Sequence, residues 1–334
     1  MVTVHDVARL SGVSIATVSR TLREPQVVSA ETRERVQAAI DALGYRPNRA
    51  ARSLRRGRTG VVALVVPDIE NPYFAALTKG AQAAARAQGY GLVVVDTAEQ
   101  ADVEAEELTA LRSQVDGVIL ASSRLEDDAL LAVVQAVPSV LINRDLGERA
   151  PLTPSVTIDE RAGVRAAVDH LRGLGHRRLL YVGGPERSWS QGRRLAGIRE
   201  AVAEAEDTVL VELNGTEPTS AGGRRAAAAV REDGATGVIA YNDVVALGLL
   251  AGWAELRVGV PGDISVIGFD NTYVAELSTP GLTSVGVDLR DMGGSAVDLL
   301  LARVDRADAH ADVRRLIVPT LVHRGSTGAR TTAI

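Results

Sequence analysis

The chain reads as an α/β protein: an N-terminal three-helix helix-turn-helix domain followed by a two-lobed core of doubly wound parallel sheets. Three observations predict this. Short capped helices fill the first 47 residues, apolar runs alternate with longer amphipathic stretches from residue 60 onward, and that alternation occurs twice.

In the head, Thr3 followed by Asp6 is a capping-box-like start for a helix whose apolar face is Val4, Val7, Ala8 and Leu10. Gly12 stops that helix, and the Ser14 hydroxyl is placed to cap the next one. In the second helix Val18 and Leu22 supply the inward face, which leaves Ile15, Ala16, Thr17, Ser19 and Arg20 outside as the candidate major-groove reader. Ser29 caps a third amphipathic helix carrying Val36, Ala39, Ile40 and Leu43, which Gly44 ends, with Pro47 just beyond. The Arg-dense stretch from Asn48 to Arg58 is helix-compatible but too short to fold alone, so it needs DNA or a second copy to order it.

The charge is divided between head and core. Residues 1–60 hold 11 Arg and 5 acidic residues, a net +6, whereas the rest holds 26 basic and 37 acidic residues, a net −11. DNA phosphates would therefore attract the head and repel the core, and the overall charge of −5 does not argue against a nucleic-acid partner. A hydrophobic content of 46% with 24% charged residues is ordinary for a globular protein of 334 residues, long enough for two or three domains. Without any cysteine, disulfides and thiolate metal sites are excluded. There is no signal-like apolar segment at the start and no run of eighteen apolar residues, so no membrane association is expected and the location is read as cytoplasmic, with nucleoid association.

In the core, residues 61–66, 92–95, 117–121 and 140–142 read as buried parallel strands, with helices near 73–88, 102–114 and 126–136. A second unit follows, with strands at 156–158, 179–182, 209–213, 238–240 and 265–268 and helices near 160–173, 190–205, 219–232 and 243–256. Two more strand-like runs, 283–287 and 315–322, flank a helix near 289–303. Two such lobes imply a cleft.

Taken together, Asp6-Val7-Ala8, Gly12-Val13-Ser14, Thr17-Val18-Ser19-Arg20, Gly44-Tyr45-Arg46-Pro47-Asn48 and Ala51-Arg52-Ser53-Leu54 resemble the lactose-repressor (LacI/GalR) family of bacterial transcription regulators. The resemblance continues through Gly183-Gly184-Pro185, Arg194-Leu195-Ala196-Gly197, Asn242-Asp243 and Ile264 to Asp270. It implies a core of periplasmic-binding-protein type and a homodimeric, ligand-responsive regulator, more often a repressor, on a pseudo-palindromic double-stranded DNA operator. The implied division is a head at 1–47, a hinge helix and linker at 48–59, and an effector-binding and dimerisation core at 60–334. Lobe 1 would span about 60–157 and 286–316, and lobe 2 about 158–285 and 317–326. The DNA-facing set becomes Thr3, Ser14, Ile15, Ala16, Thr17, Ser19, Arg20, Asn48, Arg52, Leu54 and Arg55, with Ile15 meeting a thymine methyl, Arg20 a guanine edge and Leu54 wedged into the minor groove.

Effector residues are sought where loops leave the carboxyl ends of strands. Asn71-Pro72-Tyr73-Phe74 places an amide beside two aromatic rings, a pairing suited to a sugar, and is similar to the Asn-Pro-Phe-Phe segment of ribose-type binding proteins. Asn143, Arg144, Arg194, Asn242 and Asp270 occupy comparable positions, and Trp189 is placed to cap the ligand. Plainer readings stand beside these: a Pro-initiated helix for Asn71, an N-cap for Asn242, a turn for Asp270, a lobe-to-lobe ion pair for Arg194 and a protein-protein rim for Trp189. Val287 stands where ribose-type relatives have Gln, and Ser188 where a purine-responsive relative has Arg, so the effector class stays at sugar or nucleoside.

The alternatives are an enzyme and a free-standing sugar-binding protein. No dinucleotide glycine motif follows a strand, and there is no phosphate loop or nucleophile elbow. The five histidines lack the paired spacing of a metal site. No catalytic residue, cofactor or metal is therefore expected.

Overall fold

The computed structural model describes residues 2–45, 58–305 and 314–330, which fall into two compact units, residues 1–60 and 61–334. The first holds α1 (Val4–Ser11), α2 (Ile15–Arg23) and α3 (Ala30–Leu43). Their shared core is Val7, Val18 and Val36, all inaccessible to solvent, with Ala8 and Ala39. Arg35 of α3 donates to the Ser11 carbonyl at 2.7 Å, satisfying an end of α1 that no helical turn reaches.

The second unit contains two six-stranded sheets. The first has the order β11-β5-β4-β3-β1-β2 and is parallel throughout: β1 (Val61–Val66), β2 (Gly91–Asp96), β3 (Gly117–Ala121), β4 (Ser139–Ile142), β5 (Ser155–Ile158) and β11 (Arg314–Ile317). In the second the order is β12-β10-β9-β8-β6-β7, comprising β6 (Arg178–Val182), β7 (Val209–Leu213), β8 (Gly237–Ala240), β9 (Ser265–Phe269), β10 (Thr283–Gly286) and β12 (Thr320–Val322). Only β12 runs antiparallel to its neighbour.

Each sheet is covered on both faces, which is why its central strands are apolar throughout rather than alternating. In the first lobe, α4 (Pro72–Ala87) and α12 (Leu289–Val304) cover one face, while α5 (Ala101–Leu111) and α6 (Asp127–Ala136) cover the other. In the second lobe, α7 (Glu160–Gly173) and α8 (Trp189–Ala203) lie opposite α9 (Ser220–Asp233) and α10 (Asp243–Glu255), followed by the short α11 (Tyr273–Leu277). Gly80 lets α4 lie against α12, because a Cβ there would fall 1.9 Å from the Arg290 carbonyl oxygen.

Two expectations need correction. The run at 156–158 has the apolar pattern expected of the second unit, yet β5 pairs with β4 and β11 in the first sheet. The run at 315–322, read as one strand-like stretch, is two strands broken at Val318-Pro319, and β11 ends one sheet and β12 the other, close to the lobe boundary at 316/317 that the resemblance implied. Proline cannot donate to a ladder, and here it marks one of three passages between lobes, the others lying at 158–160 and 286–289. No helix among the described residues is long and apolar enough to cross a membrane.

Candidate functional site

Local capping sets the geometry of the N-terminal head. Thr3 closes on Asp6 through its amide at 2.9 Å and its hydroxyl at 2.8 Å, and Gly12 ends α1 with φ 67°, a left-handed value that costs glycine little. Ser14 Oγ accepts from the Thr17 amide at 3.1 Å and lies 2.8 Å from the Thr17 hydroxyl, fixing the start of α2. Ala16 and Arg20 are exposed along α2, Thr17 and Ser19 half-buried, and Thr3 and Ser14 exposed beside it. Ile15 is the exception: it is half-buried and packs against the head core. Its spacing from Val18 and Leu22 puts it on their face, so only part of its side chain is left for the expected thymine contact. Asn48, Arg52, Leu54 and Arg55 lie outside the described residues.

Between the lobes of the second unit, a cleft gathers side chains from strand ends of both sheets. From the first lobe come Asn71, Tyr73 and Phe74 after β1, Glu99 after β2, Ser122 and Arg124 after β3, and Asn143 after β4. The second lobe supplies Ser190 and Arg194 after β6, Pro218 after β7, Tyr241 and Asn242 after β8, and Asp270 after β9.

Seven of the nine expected effector residues therefore converge. Asn71 and Asn242 also act as helix caps, accepting from the Tyr73 amide at 3.0 Å and the Val245 amide at 2.8 Å, so plain and functional readings coincide. Tyr73 and Phe74 meet edge to face with ring centres 5.0 Å apart, and the Tyr73 hydroxyl accepts from Asn143 Nδ2 at 2.7 Å. Burial holds that hydroxyl protonated. Asn143, at φ 52°, and Asp270, at φ 102°, occupy backbone conformations unfavourable for side-chain-bearing residues, a strain found where a side chain is being aimed.

Two residues do not converge. Arg144 leads away from the cleft to the Leu125 carbonyl at 3.2 Å and Asp127 at 2.6 Å. Trp189 is half-buried with Arg193 5.3 Å above its ring, and is not among the cleft-lining residues. Helical period explains the second case: Trp189 and Arg193 share one face of α8, whereas Ser190 and Arg194 share the face turned to the cleft. Ser190, Glu99, Ser122, Arg124, Pro218 and Tyr241 were missed, although the four-residue spacing of Ser190 from Arg194 was a usable signal.

Arg194 organises the second lobe's wall. It grips Glu160 with Nε at 2.7 Å and Nη2 at 3.1 Å, donates to the Tyr241 carbonyl, and lies 4.4 Å over the Phe269 ring. Asp270 stands 3.9 Å away. Glu160 belongs to the same lobe, so the lobe-to-lobe ion pair considered for Arg194 is replaced by one within lobe 2. Against the cost of burial, the neighbouring carboxylates keep the guanidinium charged. Burial raises the Asp270 carboxyl well above its ordinary range, which Arg194 only partly offsets.

Behind Asp270, Asp243 ties three strand ends together by accepting from the Thr272 amide at 2.7 Å, the Thr272 hydroxyl at 2.8 Å and the Ser284 hydroxyl. Burial raises its pKa from 3.8 to about 6 despite these bonds. A carboxyl with a raised folded-state pKa binds its proton more tightly when folded. Its contribution is therefore greatest at low pH and falls as pH rises from near 4 to about 6. The Asp243→Asn variant is expected to show a flatter decline in urea midpoint than the parent across this window. Parallel profiles would show that Asp243 does not titrate there.

Among the described residues no group of three or more His, Cys, Asp or Glu side chains can hold a metal. Residues 3–48 match the model for bacterial regulatory proteins of the lacI family, and residues 168–327 match a periplasmic binding protein-like domain. The chain is 31% identical to the HTH-type transcriptional regulator DegA of Bacillus subtilis (strain 168), over 97% of this chain and 98% of that relative. The ribose operon repressor of Halalkalibacterium halodurans is 33% identical over 98% of this chain and 97% of its own length. The chain belongs to the lacI family of bacterial regulatory proteins. The family extends to structure: the lac repressor dimer bound to operator and the anti-inducer ONPF matches with a TM-score of 0.86 and 29% identity, covering 98% of this chain and 99% of that one. This lacI-family member is a DNA-binding transcriptional regulator, and the relatives named here are regulators rather than enzymes.

Proposed function

We propose that the chain is a homodimeric repressor whose affinity for a pseudo-palindromic operator is set by a neutral polyhydroxylated effector, a sugar or nucleoside, held between the two lobes. One observation carries the effector reading. Asn143 Oδ1 from the first lobe and Ser190 Oγ from the second are both buried, both belong to cleft-lining residues, and neither has a hydrogen-bond partner. Each such atom costs about 1–3 kcal/mol until it is paired. A ligand bearing hydroxyls recovers that cost on both walls at once and so favours the closed arrangement of the lobes.

The other lining groups fit the same ligand. Tyr73 and Phe74 offer ring faces and edges to its C–H surface, while Asp270, Asn242 and Arg194 offer directional partners to its hydroxyls. With no nucleophile–base pair assigned, the ligand is bound and released unchanged.

The dimer follows from DNA geometry: one three-helix head reaches too few base pairs for specific binding, and two heads on a two-fold site double the contacts. In this reading residues 48–59 link the head at 1–47 to the core at 60–334, and Asn48, Arg52, Leu54 and Arg55 within them belong to the DNA-binding set, with Leu54 as the minor-groove wedge. The place of action is the cytoplasm, at the nucleoid.

Calorimetry with ribose, xylose, glucose, galactose and adenosine tests the effector reading. Saturable binding of at least one of them is expected, with the compound recovered intact by NMR. No binding across the panel, or conversion of the bound compound, would contradict it.

A further inference from the structure

A hydrogen-bonded rail joins the carboxyl ends of four neighbouring strands of the first sheet. Asn143 Nδ2, after β4, donates to the Tyr73 hydroxyl at 2.7 Å and the Ser122 hydroxyl at 3.3 Å, reaching the loops after β1 and β3. The Ser122 carbonyl accepts from Arg124 Nη1 at 2.8 Å, and Arg124 forks onto Glu99, after β2, through Nε at 2.6 Å and Nη2 at 3.0 Å. Tyr73, Asn143, Ser122, Arg124 and Glu99 all line the cleft. The orphaned Asn143 Oδ1 gives one end of the rail a ligand to hold, but it leaves the Arg124–Glu99 pair at the other end unexplained.

Stability does not explain the pair either. The arginine side chain is 3% exposed and the glutamate 26%, and so buried an ion pair gains little over apolar side chains of the same volume, because desolvation cancels much of the attraction. The backbone that carries it is strained, with Ala98, Glu99 and Ser122 at φ 50°, 61° and 53°. Asp96 ties this corner down by accepting from the Ala98 amide at 2.7 Å and the Ile69 amide at 2.8 Å, and buried Glu104 accepts from the Arg124 amide at 2.8 Å. Strain of this kind persists only where the surroundings over-determine a conformation, and it gathers where ligands are gripped.

The chemistry of the pair indicates what it grips. Each terminal nitrogen of Arg124 carries a second N–H beyond the one already engaged, and each Glu99 oxygen a second lone pair. As a unit the pair is neutral, so it supplies directional bonds without calling for a charged ligand. A donor edge beside an acceptor edge matches two adjacent hydroxyls, one accepting from the guanidinium and the next donating to the carboxylate. We propose that Arg124 and Glu99 read a vicinal diol of the effector and so determine which sugar stereoisomers the cleft accepts. This rests on the polyhydroxylated-effector reading. Removing or inverting one hydroxyl of that diol leaves a donor or acceptor of the pair unmatched in the closed cleft, which is the source of the discrimination.

Calorimetry on the full-length protein tests it, with ribose, xylose, glucose, galactose and adenosine, each beside its monodeoxy analogues. For a sugar that binds the parent, two analogues lacking adjacent hydroxyls should each bind at least about tenfold more weakly than the intact compound. In Glu99→Gln and Arg124→Met the intact compound should weaken, and its advantage over those two analogues should shrink to within about threefold, while its advantage over the other analogues is kept. A folding defect would weaken every analogue alike, so the change in ratio separates ligand contact from mere support of the loops. Ratios unchanged in both variants, or a parent indifferent to every single hydroxyl, would overturn the diol contact and leave the effector reading standing. A parent that binds none of these compounds would overturn the effector reading and the diol contact with it.

Discussion

Replacing Arg194 with alanine is expected to cost about 3–5 kcal/mol of stability in the second lobe and to abolish effector binding. The guanidinium is buried at 4% exposure and holds Glu160, itself 4% exposed, in a two-pronged pair with Asp270 close by. Removing it leaves the Glu160 carboxylate in a dry site without its cation, and that unpaired state, rather than the lost attraction, sets the size of the effect. Lysine would not substitute, because one ammonium cannot reproduce the fork on Glu160 or the stacking on Phe269 at 4.4 Å. The double variant Arg194→Met with Glu160→Gln should recover much of the stability while remaining blind to sugar. Urea unfolding checks both: a loss below about 1 kcal/mol in Arg194→Ala would show that Glu160 finds another partner.

The second large effect belongs to Arg20. Its side chain is exposed on α2, whose start is fixed by Ser14 and whose inner face is fixed by Val18. Half-buried Ile15 and exposed Ala16 carry no side-chain hydrogen-bond donor, so base reading is expected to lean on Arg20, as the sequence already indicates. Arg20→Ala is expected to weaken binding to the selected operator by about 1–3 kcal/mol and to change binding to random duplex much less. Equal losses on both DNAs would assign Arg20 to the phosphate backbone.

What could be read from the sequence, and what could not, separates along physical lines. The head was legible because its signals are local: Thr3, Ser14 and Ser29 open helices, and Gly12 and Gly44 close them within one turn. The sheet strands were legible because burial on both faces leaves continuous apolar runs. Membership of β5 in the first sheet was not legible from its apolar run, since Val156 and Ile158 look alike in either lobe; only the lobe boundary near 157 that the family resemblance implied pointed to it. In the cleft, Asn71, Tyr73, Phe74, Asn143, Asn242 and Asp270 were found by the rule that ligands sit beyond strand ends. That rule names loops rather than side-chain directions, so it accepted Arg144, which turns to Asp127, and overlooked Arg124, whose partner Glu99 is 25 residues away. The face of α8 was decidable in advance: the four-residue spacing that joins Ser190 to Arg194 puts Trp189 elsewhere.

The central claim is that occupancy of the cleft controls the DNA-reading head, and fluorescence anisotropy on an operator duplex obtained by selection tests it most directly. Titrations would be run with and without the sugar or nucleoside that calorimetry identifies, for the parent and for Asp270→Asn. In the parent, saturating ligand should shift the operator Kd by at least about tenfold, a coupling of about 1.4 kcal/mol. Asp270→Asn should bind the same duplex and lose that shift. An operator Kd unmoved by saturating ligand in the parent, or a full shift surviving in Asp270→Asn, would contradict the account.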